Sequence, residues 1–222
     1  MNYESYYITE EEFYFLLAGK GIPRWYGMTS DSRGFAPEGL DKEDLYRILG
    51  RLYQKGLVSW KGNLVKLEGA ASEMMDILLP SRCCMRLEQE ESQSHVIFYF
   101  HGNRAVMLEM SHTELKTFRM TILLQQEVTE YLVENEVFPE ENPFYDETEE
   151  EETAGESKDS RTVATLTFLH PRMGNELEKI LVKEEGIDTF LHIIREGVHQ
   201  SVHYSPEVWK NEILTLCSAH NG

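Results

Sequence analysis

Cysteine, positive charge and long apolar runs are all scarce in this sequence, and each shortage excludes something. Only three cysteines, Cys83, Cys84 and Cys217, occur in 222 residues. An odd number in a chain this long supplies no disulfide framework. Metal sites use spaced ligands and redox motifs use C-x-x-C, so the adjacent Cys83-Cys84 pair reads as core and surface thiols at a strand start. No metal and no cofactor are therefore expected. Lys and Arg number 21 against 39 Asp and Glu, a net charge of −18. Nucleic acids and anionic bilayers attract a positive field, so neither is an expected partner. The longest apolar runs, such as Val96–Tyr99 and Thr121–Leu124, are far shorter than a membrane span. Met1-Asn2-Tyr3-Glu4-Ser5 has no basic or apolar stretch of the signal-peptide kind, so a cytoplasmic location is expected.

Catalytic frames are missing too. Gly19-Lys20-Gly21 lacks both the preceding strand and the spacing of a phosphate loop. Neither a G-x-S-x-G elbow nor an H-E-x-x-H helix occurs. His199 and His203, with His192 upstream, would suit a metal only on a helix. Val198–Tyr204 reads instead as a strand, with His199, Ser201 and His203 on one solvated face. Strand positions four apart lie roughly 13 Å apart, too far to share a zinc ion alone. The expectation is no enzyme and no small-molecule substrate.

Apolar residues make up 41% of the chain and aromatics 11%, which is globular composition. Half of the charge sits in one place: between Glu140 and Asp159, ten acids face Lys158 alone, giving −9. Like charges repel and nothing there can form a core, so 140–160 reads as a disordered loop between two folded parts. An acidic recognition tail is the functional alternative.

The N-terminal part reads as helical. Thr9 and Glu12 form a capping box before Phe13, Leu16 and Leu17, and Gly19, Gly21 and Pro23 end that helix. Trp25 and Tyr26 follow in a loop running to Gly39. They either fold back over a small helical layer or mark a recognition surface. Asp41 is the next N-cap. Leu45, Ile48, Leu49 and Leu52 repeat at helical spacing up to Gly56. A short hairpin, Leu57–Trp60 and Leu64–Leu67, turns at Gly62-Asn63. A third helix with Ala71, Met74, Met75 and Leu78 on one face ends at Pro80.

The period then changes to two. Val96, Phe98 and Phe100 alternate with Ile97, Tyr99 and His101, and after Gly102-Asn103 a second strand carries Val106, Leu108 and Met110. Cys84–Gln89 and Lys116–Ile122 flank this hairpin, and a helix with Leu124, Val128, Tyr131 and Leu132 follows. The C-terminal part repeats the plan. Its strands are Thr162–Leu169, Leu177–Lys183, Thr189–Arg195 and Val198–Tyr204, with turns at Glu185-Gly186 and Glu196-Gly197. Leu177–Lys183 suits a helix equally well. Ser205-Pro206 then starts a helix bearing Trp209, Ile213, Leu216 and Cys217. The predicted fold is α+β: antiparallel sheet or sheets with flanking helices, in two pseudo-symmetric ββββα units. The expected division is 1–139 for the N-terminal helices and first unit, 140–160 for the acidic loop, and 161–222 for the second unit.

Two readings of function follow. In the first, Leu40–Lys55, Gly56-Leu57-Val58 and the hairpin resemble the recognition helix and wing of a winged-helix transcriptional regulator, with Lys42, Arg47, Arg51 and Lys55 toward phosphates. Glu43 and Asp44 on the same helix, and the overall charge, oppose it.

The second is carried by Leu52-Tyr53-Gln54-Lys55-Gly56-Leu57-Val58, Gly62-Asn63-Leu64-Val65, Met74–Pro80 and the turn Gly102-Asn103-Arg104-Ala105-Val106. In order and spacing, 40–138 resembles the EspG-type chaperones of ESX (type VII) secretion in bacteria. The chain departs from them in being rich in Glu, Met and Tyr rather than Ala and Arg. The resemblance implies a quasi-twofold antiparallel fold and a cytosolic protein that holds a helical-hairpin secretion substrate. Trp25, Tyr26, Phe144 and Tyr145, selected by loop placement, are the candidate partner-binding residues.

The charge yields a direct expectation. Fluorescence anisotropy on random and promoter duplexes should show no appreciable binding at physiological salt. Micromolar or tighter binding that weakens steeply with salt would restore the regulator.

Overall fold

The computed structural model describes residues 5–22, 24–26, 41–62, 64–89, 95–111, 116–138, 160–185 and 188–219. Strand β1 (Ser5–Thr9) runs straight into α1 (Glu10–Ala18), and α2 (Lys42–Gln54) leads to the hairpin β2 (Val58–Lys61) and β3 (Leu64–Leu67). Helix α3 (Gly69–Leu78) precedes four strands, β4 (Cys83–Gln89), β5 (His95–His101), β6 (Arg104–Met110) and β7 (Thr117–Leu124), and then α4 (Gln125–Glu134). The second set is β8 (Ser160–Leu169), β9 (Glu176–Glu185), β10 (Asp188–Arg195), β11 (Val198–His203) and α5 (Pro206–Ala219).

Local chemistry sets the helix ends. Thr9 Oγ1 accepts the Glu12 N–H at 3.2 Å and Glu12 Oε2 accepts the Thr9 N–H at 2.8 Å, completing the capping box. Asp41 Oδ1 accepts the Asp44 N–H at 2.9 Å. Helix α2 ends in a Schellman motif. Gly56 N–H donates to the Tyr53 carbonyl and Leu57 N–H to the Leu52 carbonyl, both at 3.0 Å. Gly56 sits at φ +70°, where a Cβ would be strained.

The strands form one nine-stranded antiparallel sheet in the order β1-β7-β6-β5-β4-β8-β9-β10-β11, and β2 and β3 pair separately. The first strands of the two ββββα units, β4 and β8, are neighbours, with Cys84 opposite Leu169 and Gln89 opposite Ala164. Each unit then steps outward. Sequence order and spatial order therefore describe a pseudo-twofold axis between β4 and β8, perpendicular to the sheet. The segment with ambiguous periodicity is a strand, β9, paired along its length with β8 and β10.

Two apolar clusters lie on opposite faces of the sheet. Helices α4 and α5 share one face, with Val128, Leu132, Trp209, Ile213 and Leu216 against Phe98, Phe100, Leu166 and Phe168. Helices α1, α2 and α3 cover the other face over the first unit, against Ile97, Tyr99, Val106 and Phe118. Strand β5 is covered on both sides, which explains why Val96 to Phe100 are all buried. Strand β11 is exposed almost throughout.

One element was not anticipated. The residues before Thr9 are a strand, β1, rather than part of a helical segment, and they pair with β7 from Ser5 opposite Thr121 to Thr9 opposite Thr117. The ladder partner lies over a hundred residues away, so no local pattern announces it. Pro23, the loop 27–39, Asn63, Gly186 and the acidic segment 140–159 lie outside the described residues.

A buried acid fastens the second unit. Glu178 on β9 is 2% exposed and faces Arg195 directly across the ladder to β10. Arg195 Nε and its terminal nitrogen reach the two carboxylate oxygens at 2.6 and 3.1 Å. Arg195→Ala strands that carboxylate and should cost about 3 kcal/mol, the lower end for a broken buried pair because the guanidinium is half exposed. A melting temperature lowered by on the order of 6–12 °C is expected. The double variant Glu178→Leu, Arg195→Leu should recover much of it, and an unchanged Arg195→Ala melt would refute the role.

Candidate functional site

Of the sequence-selected residues, Trp25 is fully buried. Its ring tilts over Tyr99 at 5.5 Å. The Tyr99 hydroxyl donates to the Tyr26 carbonyl at 3.1 Å, and the Tyr26 N–H donates to the Pro171 carbonyl at 2.8 Å. Burial raises the Tyr99 phenol well above its ordinary pKa. Trp25 thus closes the core over the sheet and offers no exposed anchor, while Tyr26 is half-buried beside it. The Tyr26 ring lies against Gly174, where an added Cβ would meet it at 2.4 Å. Arg172 donates to the Leu79 carbonyl. These contacts strap the N-terminal layer to the turn between β8 and β9. Phe144 and Tyr145 lie outside the described residues.

Three of the four cations that the winged-helix reading turns toward phosphates are occupied. Arg47 reaches Asp44 at 2.7 Å and Arg51 reaches Glu11 at 2.8 Å. Lys55 Nζ lies 2.7 Å from Glu12 Oε2 and donates to the Tyr7 carbonyl at 2.9 Å. Arg51 Nε is 3.3 Å from the other Glu12 oxygen. The surface pairs add little stability. Glu12 differs because it is fully buried, so Arg51 and Lys55 are what keep its charge tolerable there. The helix-and-hairpin shape is present, but Arg51 and Lys55 are committed to α1 and β1.

The same region leaves apolar side chains outside. Leu45, Tyr46 and Tyr53 are exposed on α2, and Trp60, Leu64 and Val65 on the hairpin. Trp60 sits opposite Val65 and Val58 opposite Leu67, so these four share one face of the hairpin. That face starts in the core at Val58 and runs out to Trp60, 51% exposed. A cleft of about 530 Å³ opens between the hairpin and α1, with Phe15, Leu16 and Leu67 as its apolar floor. Sequence reasoning did not single out Trp60, Leu64 or Val65. Their signal was apolar residues beside a tight turn, where a solvated tip carries polar ones.

The other candidate chemistry is quiet. The β10–β11 register sets His192 opposite Ser201 and His199 opposite Ile194, on the sheet face away from α5. Burial and nearby Lys183 lower the His192 pKa, against Glu185 at 3.5 Å. Among the described residues no group of three or more His, Cys, Asp or Glu could hold a metal. All three thiols are buried and free. Burial pushes the Cys83 thiol to about 12, a protonated and poorly nucleophilic state at neutral pH. Among the described residues no helix is long and apolar enough to cross a membrane.

These features define an α+β protein with a broad antiparallel sheet and apolar surface at its N-terminal layer. No family model matches the chain, and no curated protein matches it by sequence. The backbone does match a solved structure, that of the Mycobacterium tuberculosis type VII secretion system chaperone EspG5 in complex with the PE25–PPE41 dimer. The TM-score is 0.55 over 96% of this chain and 95% of that one, at 8% identity. The likeness establishes an EspG-like fold.

The strap can be tested at Gly174. Its φ of +73° and the Tyr26 ring both resist a side chain, so Gly174→Ala should lower stability by about 2 kcal/mol or more. In a Tyr26→Ala background the same substitution should cost only the backbone strain, about 1 kcal/mol. Equal losses in both backgrounds, measured by thermal unfolding, would mean the ring contact is irrelevant.

Proposed function

We propose that this protein is a bacterial, cytoplasmic chaperone of the secretion type, binding a helical-hairpin substrate and keeping its apolar tip from aggregating. The observation that carries this reading is the fold match across nearly the whole of both chains to a chaperone solved with a protein dimer. The chemistry agrees with it. Such a task needs no reacting group, only apolar anchors with a polar rim around them. Exposed Tyr46, Tyr53, Trp60 and Leu64 provide that kind of surface. Tyr26, with Phe144 and Tyr145, belongs to the proposed contact set, and Trp25 supports Tyr26 from beneath.

The complex should contain one copy of each partner and survive moderate salt, because apolar burial is only weakly screened. Affinity purification from the native host with mass spectrometry, followed by light scattering on the purified complex, is the test. Recovery of a helical-hairpin protein at one-to-one stoichiometry is expected. Recovery of nucleic acid or RNA polymerase alone, or turnover of a small molecule by the purified protein, would end the proposal.

A further inference from the structure

We infer that the cleft between α1 and the β2–β3 hairpin docks an acidic amphipathic helix of a protein partner, its apolar stripe under the hairpin and its carboxylates against a lysine rim. This rests on the protein-binding reading above and names the surface and the partner's chemistry.

The lining decides the sign. Lys20, Lys61 and Lys66 border the cleft, and among the described residues no carboxylate lines it. In a chain of net charge −18 that is a local inversion. Lys66 pairs with Glu68 at 3.2 Å, but both side chains are well exposed and the pair is weak. Among the described residues neither Lys20 nor Lys61 has an ion-pair partner, unlike Arg47, Arg51 and Lys55 on neighbouring α2. A second copy of this chain would bring another −18, so charge disfavours self-association.

The shape decides the class. Small-molecule sites are concave and carry a few converging polar groups. Here the polar groups stand on the rim, and the floor of Phe15, Leu16 and Leu67 is apolar. Val65, in the lining and 40% exposed, carries the apolar strip past the cleft onto its cross-strand partner Trp60, which is 51% exposed. That footprint is longer than a small ligand covers and suits the successive anchors of a helix laid in a groove.

Trp60 makes the test direct, because the other two tryptophans, Trp25 and Trp209, are buried. The full chain is titrated with a synthetic amphipathic helix whose leucine stripe is flanked by glutamates, and with the same helix flanked by lysines. The acidic peptide should shift Trp60 emission to the blue, and Trp60→Phe should abolish the shift. Lys20→Glu with Lys61→Glu should weaken the acidic peptide about tenfold, while the two Lys→Arg changes should preserve binding. All these side chains are exposed, and a thermal melt of each variant checks that the fold is retained. Equal affinity for both peptides, indifference to the charge reversal, or binding of dodecanoate but neither peptide would overturn the inference. If the wild-type chain retains its native partner and the charge-reversed chain retains it equally, the cleft is wrong while the protein-binding reading stands. If the wild-type chain binds no protein at all, the reading itself has failed.

Discussion

The pairing of β4 with β8 is the contact on which the rest of the molecule depends. Two meanders meet at their first strands, from Cys84 opposite Leu169 to Gln89 opposite Ala164. Because each meander then steps outward, α4 and α5 come down on the same face and meet there. Phe138, just past α4, stacks on Trp209 of α5 with ring centroids 4.2 Å apart and planes 3° off parallel. Without the seam, each unit would expose an unpaired strand edge and a helix with half its apolar face in water.

The seam leaves the halves unequal. The first unit is sandwiched between α1–α3 and α4–α5, and its central strands are apolar on both sides. The second unit has helix on one face only, so β10 and β11 place Leu191, Ile193 and Val202 toward α5 and His192, His199 and His203 away from it. Strand chemistry here follows coverage only in part: the face without helices carries His192, His199, Ser201 and His203, but also half-buried Phe190 and Ile194.

That relation explains how much was legible in the sequence. The hairpins at Gly102-Asn103 and Glu196-Gly197 and the strands β8, β10 and β11 could be read because turn chemistry and coverage both act locally, whereas the periodicity of β9 suited a helix equally well. So could the capping box at Thr9 and Glu12. Their order then implied two like units. Strand β1 could not be read this way, since its ladder partner β7 is remote in sequence. Whether Trp25 lies inside or outside turns on Tyr99, which is distant in the chain. Glu12 was legible as a cap residue. Its second role, a buried charge held by Arg51 and Lys55, depended on how α2 packs against α1. The exposed face of Trp60 and Val65 was missed because the hairpin's overhang exists only once α1 is in place.

The helix-and-hairpin unit shows why order along the chain does not decide function. Helix α2 followed by a small hairpin has the outline of a winged helix, and its cations fall where phosphate contacts would be sought. Yet Arg51 and Lys55 converge on a carboxylate with no access to water, and withdrawing either would leave that charge partly uncompensated. They are committed to holding α1 and α2 together. What this unit turns outward includes tyrosines on α2, a tryptophan on the hairpin, and lysines at the rim of one cleft. A backbone likeness at 8% identity carries the path of the chain and none of those side chains. The partner's chemistry must therefore be sought in the residues this sequence leaves uncovered and uncompensated, and those lie at the N-terminal layer.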